Sequence, residues 1–146
     1  MYDRSVLDVD DALKLVDAVL SAAPGETTQP IAVAVVDDMG DWVAFARMDG
    51  VPSFNRDYAR RKAYTASLMR RDLQEFAATQ MQTGRLLTDL GDPQLIGSAH
   101  GGVALRDVTG NVIGGLGVSG GTPEEDERLV RAALAAAPVL EQGGAA

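Results

Sequence analysis

The chain has 146 residues, 46% of them hydrophobic and 23% charged, which suits one globular domain with a proper core. Its formal net charge of −8 speaks against nucleic acid and anionic membrane surfaces as partners, since both attract a basic face. It has no cysteine, which removes disulfides, thiolate nucleophiles and cysteine-ligated metals from consideration.

The opening residues, MYDRSVLDVDD, lack the basic region and apolar run of a signal peptide. No stretch approaches the roughly 18 apolar residues of a membrane span, so a cytoplasmic protein is expected. Asp8 is placed to cap a first helix, with Asp10 and Asp11 suiting its positive end. Leu13, Val16, Leu20 and Ala23 recur at helical spacing, and Pro24-Gly25 is read as the stop. Residues 31–37, IAVAVVD, are apolar on both faces and read as a buried central strand. DDMGD is a turn in which Gly40 takes positive φ, and WVAFARM (42–48) returns as the second strand of a hairpin.

Ser53 is expected to cap the helix SFNRDYARRKAYTASLM, and RDLQEFAATQM follows as a second helical segment. Residues 83–100 show no clear period and hold Gly91, Pro93 and Gly97, as expected of a long ordered loop that carries function. GGVALRDVTGNVIGGLGV reads as a second hairpin, with strands at 102–107 and 112–118. A last helix runs from Thr122 to about Ala137, where Pro138 breaks it, so the core spans about 7–137 and 138–146 is expected to be a flexible tail. The two hairpins share D-x-x-G-[D/N], with Asp37 matching Asp107 and Gly40 matching Gly110, and each is followed by a helix. The chain therefore reads as a leading helix and two β-hairpin–helix units, although turns in general favour Asp and Gly.

Gly115-Leu-Gly117-Val-Ser-Gly120 is a literal G-x-G-x-x-G. A dinucleotide fingerprint needs a βαβ unit with a later strand, and here only a helix and a tail follow. Glu124, Glu125, Asp126 and Glu127 would also repel a pyrophosphate from the amides meant to hold it. A capping box explains the end of the motif: Thr122 at the N-cap, Pro123 at the first helical position and Glu125 three residues after the cap. Capping leaves Gly114, Gly115 and Gly117 unexplained, and glycine inside a strand marks a close approach by backbone or ligand.

IAVAVVDDMGDWVAFARMDG, RRKAYTASL and GGLGVSGGTPEEDE together resemble the GlcG/HbpS family, also known as the haem-binding or PduO C-terminal-like family. The likeness rests on Arg47-Met48-Asp49-Gly50, on Lys62-Ala63-Tyr64-Thr65-Ala66 and on Gly117–Asp126, and it covers about 7–137. It implies an α+β fold, with a central antiparallel sheet and flanking helices similar to profilin-like domains, and assembly into homo-oligomers. It also implies haem as a possible cofactor, some members binding haem or being linked to its degradation. Where many members carry P-G-G, this chain has His100-Gly101-Gly102, and His100 is its only histidine.

Lys62 shares a helix face with Tyr58, Ala59, Ala63, Ala66 and Met69, so it leans inward, where an unpaired charge is costly. Either its head is solvated or paired with a carboxylate such as Asp37, or it serves a site as an anion-holding or proton-transferring group, with Thr65 as a neutral partner. Arg56, Arg60, Arg61, Arg70 and Arg71 make this region basic, and Arg60 is read as lying close to Lys62 and as its accomplice. His100 is of the residue type that suits acid–base work or haem ligation, with the bare backbone of Gly101 and Gly102 beside it. Ser119 lies in no nucleophile elbow and is expected at most to donate a hydrogen bond. One histidine without cysteine argues against a structural zinc site, and no metal site is expected.

The expected site is thus a pocket between the Lys62 helix, the His100 loop and the strand and loop at 114–121. Its catalytic candidates are His100 and Lys62, and its ligand-binding candidates are Tyr58, Arg60, Thr65, Gly101, Gly102, Gly115, Gly117 and Ser119. Three functions stand beside one another: a small-molecule or haem-binding protein; a cofactor-free isomerase, lyase or hydratase acting on a small carboxylate or carbonyl compound; and a non-catalytic structural oligomer.

Overall fold

The computed structural model describes residues 1–84, 87–97 and 99–137. In chain order these form α1 (Val9–Glu26), β1 (Ala32–Asp37), β2 (Trp42–Arg47), α2 (Ser53–Met69) and α3 (Leu73–Thr83). A short 3-10 helix (Leu87–Leu90), β3 (Gly102–Arg106), β4 (Val112–Ser119) and α4 (Pro123–Ala136) complete the chain. The four strands make one antiparallel sheet in the order β2-β1-β4-β3, so the fold is α+β as expected.

The two hairpins are alike down to their hydrogen bonds. Asp37 Oδ1 accepts the amides of Met39 and Asp41, and Asp107 Oδ1 accepts those of Thr109 and Asn111. Gly40 and Gly110 take φ of 84° and 87°, which L-residues with side chains rarely adopt. The pairing slips at the same place in both hairpins, after Val35 and after Leu105.

Strand alternation sends Val33 and Val35 to one face of β1, and Ala32, Ala34 and Val36 to the other. On the first face α1 and α4 lie side by side over a core of Leu15, Val19, Ile31, Leu116, Val118 and Leu129. On the second face α2 crosses β1, β4 and β3 almost alone, with Ala59 and Ala63 buried beneath it. The residues under α2 are small and in line: Ala34 pairs with Gly117, which pairs with Gly102, and Val36 pairs with Gly115, which pairs with Ala104.

This explains two of the three glycines that capping could not, Gly115 and Gly117. A methyl group on Gly115 would lie 2.1 Å from the Ala63 carbonyl oxygen, and one on Gly117 would lie 2.2 Å from that of Ala59. A methyl on Gly102 would strike the Leu73 side chain and the Lys62 carbonyl oxygen. The backbone of α2 rests on the bare sheet, at a distance that any side chain there would forbid.

Several local expectations are corrected. Pro24 and Gly25 do not stop α1, which continues to Glu26; a proline this near the end removes only one donor, and Thr27 closes the turn by donating to the Ala23 carbonyl. The inward stripe of α1 is Ala12, Leu15, Val16, Val19 and Ala23, and Leu13 is half exposed. Ser53 is the first residue of α2 rather than its cap; Pro52 occupies the cap position and offers no side-chain acceptor. Arg70 turns left-handed at φ 57° and separates α2 from α3, which begins only at Leu73. The stretch 83–100 is not loop throughout, since Thr83 ends α3 and a 3-10 turn follows. The Pro138 break and the 138–146 tail lie outside the described residues.

Candidate functional site

Helix α4 starts at the expected capping box. Thr122 Oγ1 accepts the Glu125 amide, and the Glu125 carboxylate accepts the Thr122 amide at 2.8 Å. Fixing the first turn in this way directs the next two acids inward, and both Asp126 and Glu127 are buried.

Lys62 reaches across β4 to meet them. Its Nζ donates to the Val118 carbonyl at 2.7 Å and to Asp126 Oδ2 at 2.9 Å, with both side chains almost fully buried. Asp126 Oδ1 accepts the Gly121 amide at 3.0 Å. The lysine is therefore paired, but with Asp126 rather than Asp37, whose carboxylate is engaged in its own turn. Burial pushes the Lys62 pKa down, against the pull of Asp126 and Glu127. Burial likewise pushes Asp126 up, against the pull of Lys62.

A second chain of contacts runs beside this pair. Glu127 Oε1 accepts the Gly101 amide at 3.1 Å, and its Oε2 accepts from Arg131 Nε at 2.8 Å. Arg131 also meets Asp72 at 2.8 Å, and Asp72 in turn accepts the Ala104 amide. Burial works against the charge on Arg131, but Asp72 and Glu127 outweigh it and raise its pKa. Asp126, Glu127, Asp72 and Arg131 did not stand out in the sequence. The one signal for Asp126 and Glu127 was the run of acids after the cap, which equally fits a helix dipole, and Asp72 and Arg131 had none.

The network ties the ends of β3 and β4 to α2, α3 and α4, and it leaves Lys62 no open face toward a ligand. Thr65 is also fully engaged: its hydroxyl donates to the Arg61 carbonyl at 2.8 Å and accepts the Ile96 amide at 2.9 Å. Ser119 is buried and donates to Asn55 Oδ1 at 3.0 Å. Gly115 and Gly117 lie under α2, and Gly101, at φ 83°, packs against Asp126 of α4. The expected pocket floor is thus filled by the helices of the protein.

Three candidates remain outward. His100 is half-buried, directly before Gly101, and has no hydrogen-bond partner among the described residues. Tyr58 is half-buried, with Phe54 edge-on at 5.0 Å and the Arg61 guanidinium 5.5 Å from its ring centre. Arg60 lies 5.6 Å from the Trp42 ring centre and 5.3 Å from that of Tyr64, and donates through Nη1 to Gln94 Oε1. Its Nε is buried and has no hydrogen-bond partner among the described residues. Among the described residues no group of three His, Cys, Asp or Glu side chains could hold a metal ion, and no helix is long and apolar enough to cross a membrane.

Residues 7–135 match the family model described as haem degrading protein HbpS-like. The chain is 36% identical over 124 residues to an uncharacterized 15.0 kDa protein encoded in the dhaT-dhaS intergenic region of Citrobacter freundii, covering 84% of this chain and 86% of that one. Other curated relatives are longer, and the chain spans 62% and 32% of two of them. Among solved structures, a PduOC:haem complex superposes with a TM-score of 0.79 at 30% identity, over 90% of this chain and 95% of that one. HbpS superposes with a TM-score of 0.80 at 28% identity, over 93% of each chain.

Proposed function

Because the chain belongs to the HbpS-like family, we propose that it is a haem-binding protein, with His100 as the ligand to the iron. The observation that carries this reading is the state of His100, the only imidazole of the chain, half-buried and without a hydrogen-bond partner among the described residues. A structural histidine usually has a partner, and an imidazole without one is a ready haem donor. The resemblance to a haem-bound neighbour supports the same ligand. Arg60, a half-buried cation of α2, is assigned to the acidic edge of that ligand. Haem, when bound, supplies one-electron iron chemistry, while the protein orients the group and controls access to it. On this reading the protein works in the cytoplasm as a homo-oligomer, so light scattering at micromolar concentration should give a mass above that of one chain.

The test is a haemin titration followed at the Soret band. One haem per chain should bind saturably, His100→Ala should shift the band or abolish binding, and Arg60→Met should weaken binding while leaving the band in place. A titration without saturation, or a His100→Ala spectrum identical to wild type, overturns the assignment. Loss of the band under oxygen and reductant would distinguish degradation from carriage.

A further inference from the structure

A cavity of about 340 Å³ opens at the far end of α1, between its last turn, the link into β1 and the end of β2. Its floor is apolar, built from Ala23, Pro24, Pro30 and Met48, and Thr28 and Asp49 stand at its rim.

Thr27, Thr28 and Gln29 add neutral polar groups to the lining, and the charge at this rim is negative. Pro24 lies inside α1 and has no N–H, so the Leu20 carbonyl lacks its helical donor. Thr27 closes the helix on the Ala23 carbonyl, and among the described residues no backbone amide beyond it bonds the carbonyls of Pro24, Gly25 or Glu26. A helix C-terminus carries partial negative charge, and the last turn of α1 has no basic residue to offset it. Asp49 is exposed and has no hydrogen bond or ion pair among the described residues. Of the charged groups that reach this end from α4, Arg128 is engaged by Glu26 at 3.2 Å, and Glu125 is held by the Thr122 amide.

We infer that this cavity binds a small organic ammonium ion with a short aliphatic body. The ammonium would donate to Asp49 and to the unclosed carbonyls of the α1 terminus, and its carbon chain would lie on the prolines, Ala23 and Met48. A bare metal ion fits poorly, because the floor is apolar and only one carboxylate lines the cavity. An anion would meet a rim of its own sign. The inference is independent of haem and of His100.

The test is a titration of the full chain with n-butylammonium chloride, followed by NMR at the Met48 methyl and the Thr28, Gln29 and Asp49 amides. Saturable shifts confined to these signals are expected. 1-Butanol should produce none, and tetramethylammonium, which has no N–H donors, should bind more weakly. Asp49→Asn should weaken n-butylammonium binding about tenfold without changing the melting temperature. Equal shifts with 1-butanol, shifts spread over the whole acidic surface without saturation, or unchanged binding by Asp49→Asn would each overturn the proposal. A haemin titration that fails leaves this result untouched, so the two readings fail separately.

Discussion

Alanine at Gly117 would place a methyl carbon 2.2 Å from the Ala59 carbonyl oxygen, 2.6 Å from the Ala63 nitrogen and 3.0 Å from Lys62 Cβ. The two nearest atoms belong to helix backbone and cannot rotate away. Restoring the first contact to an ordinary 3.4 Å requires α2 to lift by about 1.2 Å from a sheet that it covers almost alone. Overpacking of this kind costs about 1–3 kcal/mol. The lift also pulls Lys62 away from the Val118 carbonyl and Asp126, straining a buried pair, so the upper end of that range is expected. For a domain of this size, about 3 kcal/mol corresponds to a fall in Tm on the order of 10 °C. Thermal and urea unfolding measure it, with haemin binding recorded beside them. A Gly117→Ala protein that melts within about 2 °C of wild type would refute the packing argument. If it also lost haemin binding at unchanged stability, the space over Gly117 would belong to a ligand and not to α2.

Gly25→Ala is the opposite case: nothing lies within 4 Å of the added methyl and the residue is helical, so a gain of about 0.5–1 kcal/mol is expected in the same melts. Lys62→Met leaves Asp126 buried without its cation and should cost about 3–5 kcal/mol, whereas the double change Lys62→Met, Asp126→Leu should recover most of the loss. Equal stability of the single and double variants would show that the pair is not the cause. The Thr122 amide holds the Glu125 carboxyl below its ordinary pKa of 4.5. A depressed folded pKa contributes stability that is present above the unfolded pKa and is lost as pH falls through the folded value. The Tm gap between wild type and Glu125→Ala should therefore be widest near neutrality and shrink on acidification below about pH 4.5, and a gap that does not change with pH would contradict the assignment.

Features whose bonds close within a few residues were legible from the chain itself. The Asp37 and Asp107 turns, the glycines at positive φ and the Thr122–Glu125 box bond within four positions, so residue type at fixed spacing suffices to specify them. The valine-rich and glycine-rich strands likewise declared themselves by composition, and the charge of −8 speaks against whole classes of partner. The face of a helix was less secure: one residue of rotation separates buried Ala12 from half-exposed Leu13, and both fit an apolar period. The partner of Lys62 was beyond reach, because Asp126 lies 64 positions away and only the docking of α2 and α4 on opposite sides of β4 brings the two together. The same docking decides what the glycines are for. Glycine at 102, 115 and 117 announces a close approach, but backbone freedom is the same whatever approaches. Only the register that aligns Ala34, Gly117 and Gly102 under α2 makes it the helix.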